Sequence, residues 1–252
     1  MQYTTSPDAS AELGSEPLVL LPGMMCDARV FAPQIEALSA YLPVTVAPLL
    51  GGDRIEAIAA HILNMLPERF ALAGLSMGGI IALEILRRAP DRVSRLCLMD
   101  TTPLAETPAQ AAEREPMIVA ARTGRLEEML AKALPADCLA PGPGRLEVLN
   151  TVRQMGMHLG SDLFVAQSRA LQRRMDQQGV ARRCHVPTLI LCGEYDRLTP
   201  VKRHEFLADL IPHAELEVIS GAGHLPVLEQ PEAVNRALLH WLSRAPDAAH
   251  QS

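Results

Sequence analysis

"FALAGLSMGGIIALEI", Phe70 to Ile85, is the stretch that decides the fold. Its first half is a short apolar run. Its second half is apolar at helical spacing. The junction is Gly74-Leu75-Ser76-Met77-Gly78-Gly79, one small polar residue among glycines. A strand that hands over to a helix through such a turn reads as a βα unit.

The same rhythm runs outward in both directions. "LVLLPG" (Leu18–Gly23), Val44–Leu50, "FALAGLS", Val93–Asp100, Val186–Asp196 and Ala214–His224 read as six strands. Helical patterns follow in "FAPQIEALSAYL", in Arg54–Leu66 and in "GGIIALEILRRAP", which Pro90 closes. Near-continuous apolar strands alternating with helices predict an α/β fold, with a mostly parallel sheet covered by helices on both faces. In such a sheet, ligands bind beyond the carboxyl ends of the strands. Residues 103–184 break the rhythm. They hold helical patterns and no strand, and read as a helical cap inserted between sheet strands. The expected organisation is a core of 17–102 and 185–244, a cap (lid) of 103–184, and loose tails at 1–16 and 245–252.

Bulk composition narrows the function. The chain has 252 residues, 48% hydrophobic and 21% charged, with a net charge of −6. That balance gives no electrostatic reason to expect nucleic acid or an anionic membrane as partner. Five cysteines without CxxC spacing argue against a disulfide framework or a zinc site and for a reducing, cytoplasmic location. The polar start lacks a signal-peptide pattern, and no apolar run is long enough to span a bilayer. No phosphate-cradling loop or metal cluster is evident, so neither cofactor nor metal is expected.

A serine hydroxyl is a poor nucleophile near neutral pH. It needs a base, a group that orients the base, and donors for the developing oxyanion. Gly74, Ser76 and Gly78 form the G-x-S-x-G pattern of a nucleophile elbow, and Gly79 adds room. The bland alternative is a glycine-rich turn with a bystander serine. The Met77 N–H opens the following helix and is one candidate oxyanion donor. The second donor is expected from "LLPGMMCD", at Met24 with Met25 as the alternative, where Gly23 permits a sharp turn. His224 in "ISGAGHLPVLEQP" is the candidate base. The other seven histidines sit in helical patterns, the cap, strand flanks or the tail. Asp196, ending the fifth strand, is the candidate acid, with Glu194 and Asp100 as competitors.

These residues bring a resemblance into view. "LLPGMM", "GLSMGG", "CGEYDRLTP" and "GAGHLPVLEQPEAVNRALLHWL" resemble the α/β-hydrolase superfamily, closest in style to small lidded carboxylesterases, enol-lactonases and cofactor-free haloperoxidases. The resemblance covers roughly 17–102 and 185–244. It implies Ser76 as nucleophile, Asp196 as acid, His224 as base, and the insertion as lid. Two departures stand out. Pro22-Gly23 replaces the family's common His-Gly, removing a histidine that helps hold the oxyanion loop. Only sixteen polar residues precede Pro17, where members often have a two-strand hairpin.

The expected activity is serine-dependent hydrolysis of small to medium, largely apolar carboxylic esters or lactones. C–C bond hydrolysis or perhydrolysis (haloperoxidase chemistry) with the same triad is the alternative, and a ligand-binding receptor on the same scaffold is the non-enzymatic one. Met25, Leu198 and Leu225 are expected in the substrate pocket. Cap methionines 117, 129, 155, 157 and 175 read mainly as core filling. Among cap arginines 122, 125, 153, 169, 173 and 174, most read as solvated helix faces, and one is able to receive a substrate carboxylate.

Overall fold

The computed structural model describes residues 16–244. The expected tails lie outside the described residues, except Glu16, whose carboxylate pairs with Arg69 at 2.6 Å. Six strands form one sheet: β1 Leu18–Leu21, β2 Val44–Val46, β3 Phe70–Leu75, β4 Val93–Met99, β5 Thr188–Gly193 and β6 Glu215–Ile219. Their spatial order is β2-β1-β3-β4-β5-β6, and every neighbouring pair is parallel.

Helices α1 (Ala32–Leu38), α2 (Ile55–Leu63) and α3 (Met77–Arg88) connect the first four strands. Between β4 and β5 lie α4 (Pro108–Arg122), α5 (Leu126–Ala133), α6 (Arg145–Gln172) and α7 (Gln178–Ala181). Helix α8 (Val201–Leu210) joins β5 to β6, and α9 (Pro226–Glu229) and α10 (Pro231–Ser243) follow. The two helical patterns read around "MGMHLGSDLF" are two helices meeting at a kink at Gly160, where φ is 84° and ψ 171°, here labelled together as α6.

Alternation along the strands divides the core in two. Val19 and Leu21 pack with α2 and α3 on one face. Leu18 and Leu20 pack with Phe31, Leu38 and Trp241 on the other. Strands β1, β3, β4 and β5 are buried along their whole length, which is why they read as continuous apolar runs. The edge strands are shorter than the sequence suggests. β2 stops after Val46: Ala47 still donates to Leu20, but Pro48 has no N–H to continue the ladder. β6 ends before Gly221, where the chain turns with φ of 72°.

Helix α3 is buried on all sides from Met77 to Leu86, so it is the central helix. Its N-terminus meets the carboxyl ends of β1, β3 and β4, and this convergence positions the site.

Candidate active site

The elbow at Ser76 is built by crowding. A methyl group at Gly74 would collide with the backbone of Gly78 and Gly79. One at Gly78 would collide with the carbonyls of Leu21 and Pro22. Ser76 itself has φ of 53° and ψ of −115°, a left-handed conformation that costs a non-glycine residue about 1–3 kcal/mol. It is held there by two bonds. Its N–H donates to Met99 O at 2.8 Å, and its carbonyl accepts from the Thr101 hydroxyl at 2.7 Å. The turn aims the Ser76 hydroxyl away from the sheet, at 2.9 Å from His224 Nε2.

His224 lies in the loop after β6, 5% exposed. Its Nδ1 is 2.8 Å from Asp196 Oδ2. A carboxylate there keeps the proton on Nδ1 and leaves Nε2 free to accept from the serine. Asp196 is itself braced, accepting from the Leu198 and Thr199 N–H groups and from the Thr199 hydroxyl at 2.6 Å. Burial pushes its pKa up. The charge and hydrogen bond of His224 and the bonds from Thr199 outweigh that and hold it at about 2. Thr199 is a supporting residue that sequence reading passed over, although it sits in the quoted motif.

The competing acids have other positions. Glu194 accepts from Gly221 N at an exposed site. Asp100 is fully buried beside Asp196, with Oδ1 accepting from Gly193 N at 2.9 Å. Burial, and next the Asp196 charge, raise its pKa well above the usual carboxylate range. Asp100, Asp196 and His224 place one ligand atom each within 4.8 Å of one another, close enough to suggest a cation site. Asp196 Oδ2 is engaged by His224 Nδ1 and the Thr199 hydroxyl, and Asp100 Oδ1 by Gly193 N, while Asp100 Oδ2 has no hydrogen-bond partner among the described residues.

The loop expected to supply the second oxyanion donor turns at Gly23, whose carbonyl accepts from Cys26 N at 3.2 Å. Gly23 does not take a left-handed conformation, and a methyl group there would meet Ser76 Cβ at an ordinary 3.6 Å. The strained residue is Met25, with φ of 55°. Its N–H donates to Gln167 Oε1 of α6 at 2.8 Å, and Gln167 Nε2 donates to Leu49 O at 3.1 Å. The Met25 side chain packs with Ala121, Leu126, Leu130 and Phe164 of the inserted helices. With the Met25 N–H engaged, the N–H groups of Gly23 and Met24 are the loop donors without an acceptor among the described residues. Met77 opens α3, where a backbone N–H has no intrahelical acceptor. The insertion also touches the histidine loop: His224 N donates to Cys138 O at 2.8 Å.

A cavity of about 400 Å³ opens over Ser76 and His224. Met25, Leu198 and Leu225 border it, as do Met24, Met77 and Met117. Of the other cap methionines, Met155 is buried in the core, whereas Met157 and Met175 are exposed. Among the arginines singled out from sequence, Arg174 faces the cavity. Arg114 and Arg203, not singled out, do so too. Cys26 also borders it, but burial, and next Asp27, push its thiol up to about 12, so it is not a thiolate nucleophile.

The parallel sheet and the group of residues at its carboxyl ends define a hydrolase scaffold. The chain belongs to the alpha/beta hydrolase fold family, whose profile matches residues 55–231. It is 30% identical over 234 residues to a pimeloyl-acyl-carrier-protein methyl ester esterase of Aromatoleum aromaticum, covering 85% of this chain and 93% of that one. A thermophilic esterase from Thermogutta terrifontis, solved with malate bound, superimposes with a TM-score of 0.81 at 28% identity, over 90% of this chain and 89% of that one. The enol-lactonase of Burkholderia xenovorans LB400 shares the fold, with a TM-score of 0.81 at 23% identity over 92% of each chain. No helix among the described residues is long and apolar enough to cross a membrane.

Proposed function

We propose that this protein is a serine-dependent carboxylic ester hydrolase acting on small to medium esters or lactones. The observation that carries this reading is the unbroken contact from Ser76 Oγ through His224 to Asp196 at the floor of a cavity. His224 Nε2 takes the Ser76 proton as Oγ adds to the ester carbonyl. The oxyanion is received by the backbone N–H groups of Met77 and Met24. His224 then protonates the leaving alcohol, giving an acyl-Ser76. It next takes a proton from water, which attacks the acyl carbon, and returns that proton to Ser76 Oγ as the acyl–Oγ bond breaks and the acid leaves. Asp196 orients the imidazole and offsets its charge while it is protonated.

In this reading residues 103–184 are the lid over a core of 17–102 and 185–244, and Met25, Leu198 and Leu225 contact substrate. The esterase relatives favour ester cleavage over other chemistry on this fold. The five cysteines, all free and buried, are consistent with the cytoplasm. Initial rates on p-nitrophenyl acetate, butyrate and octanoate, for wild type and Ser76→Ala, test the proposal. Turnover that collapses in the variant supports it, and the chain-length profile sizes the pocket. Folded wild type without turnover on any of the three would refute it.

A further inference from the structure

The cavity over Ser76 carries a cationic wall that ester hydrolysis alone does not require. Arg114, Arg174, Arg203 and Lys132 border it, opposed by Glu106 and Glu113. The whole chain has the opposite sign, at −6. These groups are not equivalent. Arg114 and Arg174 share one carboxylate, that of Glu106: Arg114 Nε lies at 2.8 and 2.9 Å from its two oxygens, and Arg174 Nη1 at 2.9 Å from Oε1. Arg174 is further fixed by donating to Leu104 O at 2.9 Å. Two guanidiniums on one carboxylate leave a positive surplus in a largely buried cluster.

Arg203, on the first turn of α8, is exposed, and its guanidinium has no carboxylate partner among the described residues. It is close enough to Arg174 for the two charges to oppose each other. A rigid, weakly hydrated guanidinium with an open fork is suited to bidentate capture of a carboxylate. Much of the remaining wall is methionine and leucine. Glu106 and Glu113 on the same wall disfavour a dianionic phosphate.

Building on the proposed hydrolase reading, we infer that the substrate is an ester with an apolar middle and a free carboxylate, which Arg203 receives beside the Arg174–Glu106 pair. The substrate class is the half-esters and other carboxylate-bearing esters, and Arg203 is a specificity residue on the core side of the cavity.

Two matched substrate pairs test it. Mono-p-nitrophenyl glutarate against p-nitrophenyl valerate places the carboxylate on the acyl side. 4-Carboxyphenyl valerate against phenyl valerate places it on the alcohol side. For each pair the readout is the ratio of kcat/KM, anionic over neutral, in wild type, Arg203→Gln and Arg203→Lys. Using the ratio cancels intrinsic reactivity and any general loss of activity. Arg203→Gln should lower one ratio about tenfold, with Arg203→Lys between the two and high salt acting in the same direction. Ratios within twofold of wild type for both pairs would overturn the inference, while turnover of the neutral esters that depends on Ser76 would leave the hydrolase reading standing. If no ester is turned over, calorimetry with glutarate decides the subsite alone. Binding to Ser76→Ala that disappears in Ser76→Ala/Arg203→Gln supports it, and an absence of binding to Ser76→Ala refutes it.

Discussion

Two loops meet over the sheet, and they are held in opposite ways. The elbow, Gly74 to Gly79, is fixed by the backbone of the sheet: Gly74 packs on Gly78 and Gly79, Gly78 on the carbonyls of Leu21 and Pro22, Ser76 N bonds Met99 O, and the nearest side-chain support is Thr101, from the next strand end. The proposed oxyanion loop, Pro22 to Cys26, is fixed from the inserted helices. Its strained residue, Met25, bonds to a side chain 142 positions later and buries its own side chain among inserted helices. One loop rests on the strand ends beside it. The other takes its shape from the inserted helices, so the proposed lid would be part of the proposed catalytic machinery as well as a cover.

The largest effect should come from the elbow. Ser76→Ala removes the proposed nucleophile and should lower kcat by roughly 10⁴-fold or more with little change in fold. Steady-state rates together with circular dichroism check this; a variant with more than a tenth of wild-type turnover would end the nucleophile reading. Gly78→Ala tests the crowding itself. Its methyl group meets the carbonyls of Leu21 and Pro22, which cannot move without shifting β1, and the expected loss is about 3 kcal/mol in urea unfolding. Gly23→Ala is the control on the other loop. With its nearest contact at 3.6 Å, it should cost less than about 1 kcal/mol. Equal losses at the two positions would erase the contrast between the loops.

Gln167→Leu asks whether this dependence on the inserted helices is real. It removes both bonds, to Met25 N and Leu49 O, and frees the loop to rotate the Met24 N–H away. We expect kcat to fall about 10- to 100-fold with a smaller change in KM, since the oxyanion donor acts mainly in the transition state. Gln167→Glu keeps an acceptor for Met25 N and should recover part of the loss. A fall confined to stability, with kcat unchanged, would make Gln167 purely structural.

The contrast also explains what was legible in the sequence. The elbow's glycines lie within six residues, so their spacing could be read directly. Asp196, Leu198 and Thr199 are close neighbours for the same reason. The strand ladder was readable because its central members are buried on both faces. The tether at Gln167 was not found, because its partner is a backbone N–H, a group every residue but proline carries. A weak signal existed: Phe164, Gln167, Ser168 and Leu171 share one helical stripe, and a glutamine on an apolar stripe needs a partner inside. Arg203 was missed for a different reason. Whether an arginine on a first helical turn faces solvent or a cavity depends on how the insertion sits above it, which local pattern does not encode.

The last expected effect depends on pH and concerns His204, which sits under the elbow. It is fully buried on α8, and its Nε2 accepts from the Thr101 N–H at 3.0 Å. Thr101 in turn holds the Ser76 carbonyl. Burial lowers its pKa from 6.5 to about 4. The folded imidazole therefore stays neutral between pH 6.5 and 4, while the unfolded chain takes up a proton across that interval. Stability from this group is complete above pH 6.5 and falls as pH drops to about 4, by up to about 1.4 kcal/mol per pH unit. Asp100 works the other way: its raised pKa makes the folded state bind a proton first, so its contribution grows as pH falls from that raised value toward 3.8. The two oppose each other, and a wild-type pH curve alone would conceal both. The difference between wild type and His204→Gln isolates the imidazole, because Asp100 is common to the two. Urea unfolding at pH 7, 6, 5 and 4.5 should show wild type losing ground to His204→Gln as the pH falls, by about 2 kcal/mol in all. A gap that stays constant over that range would mean that His204 takes up its proton as readily in the fold as in the unfolded chain, contrary to its burial beneath the elbow.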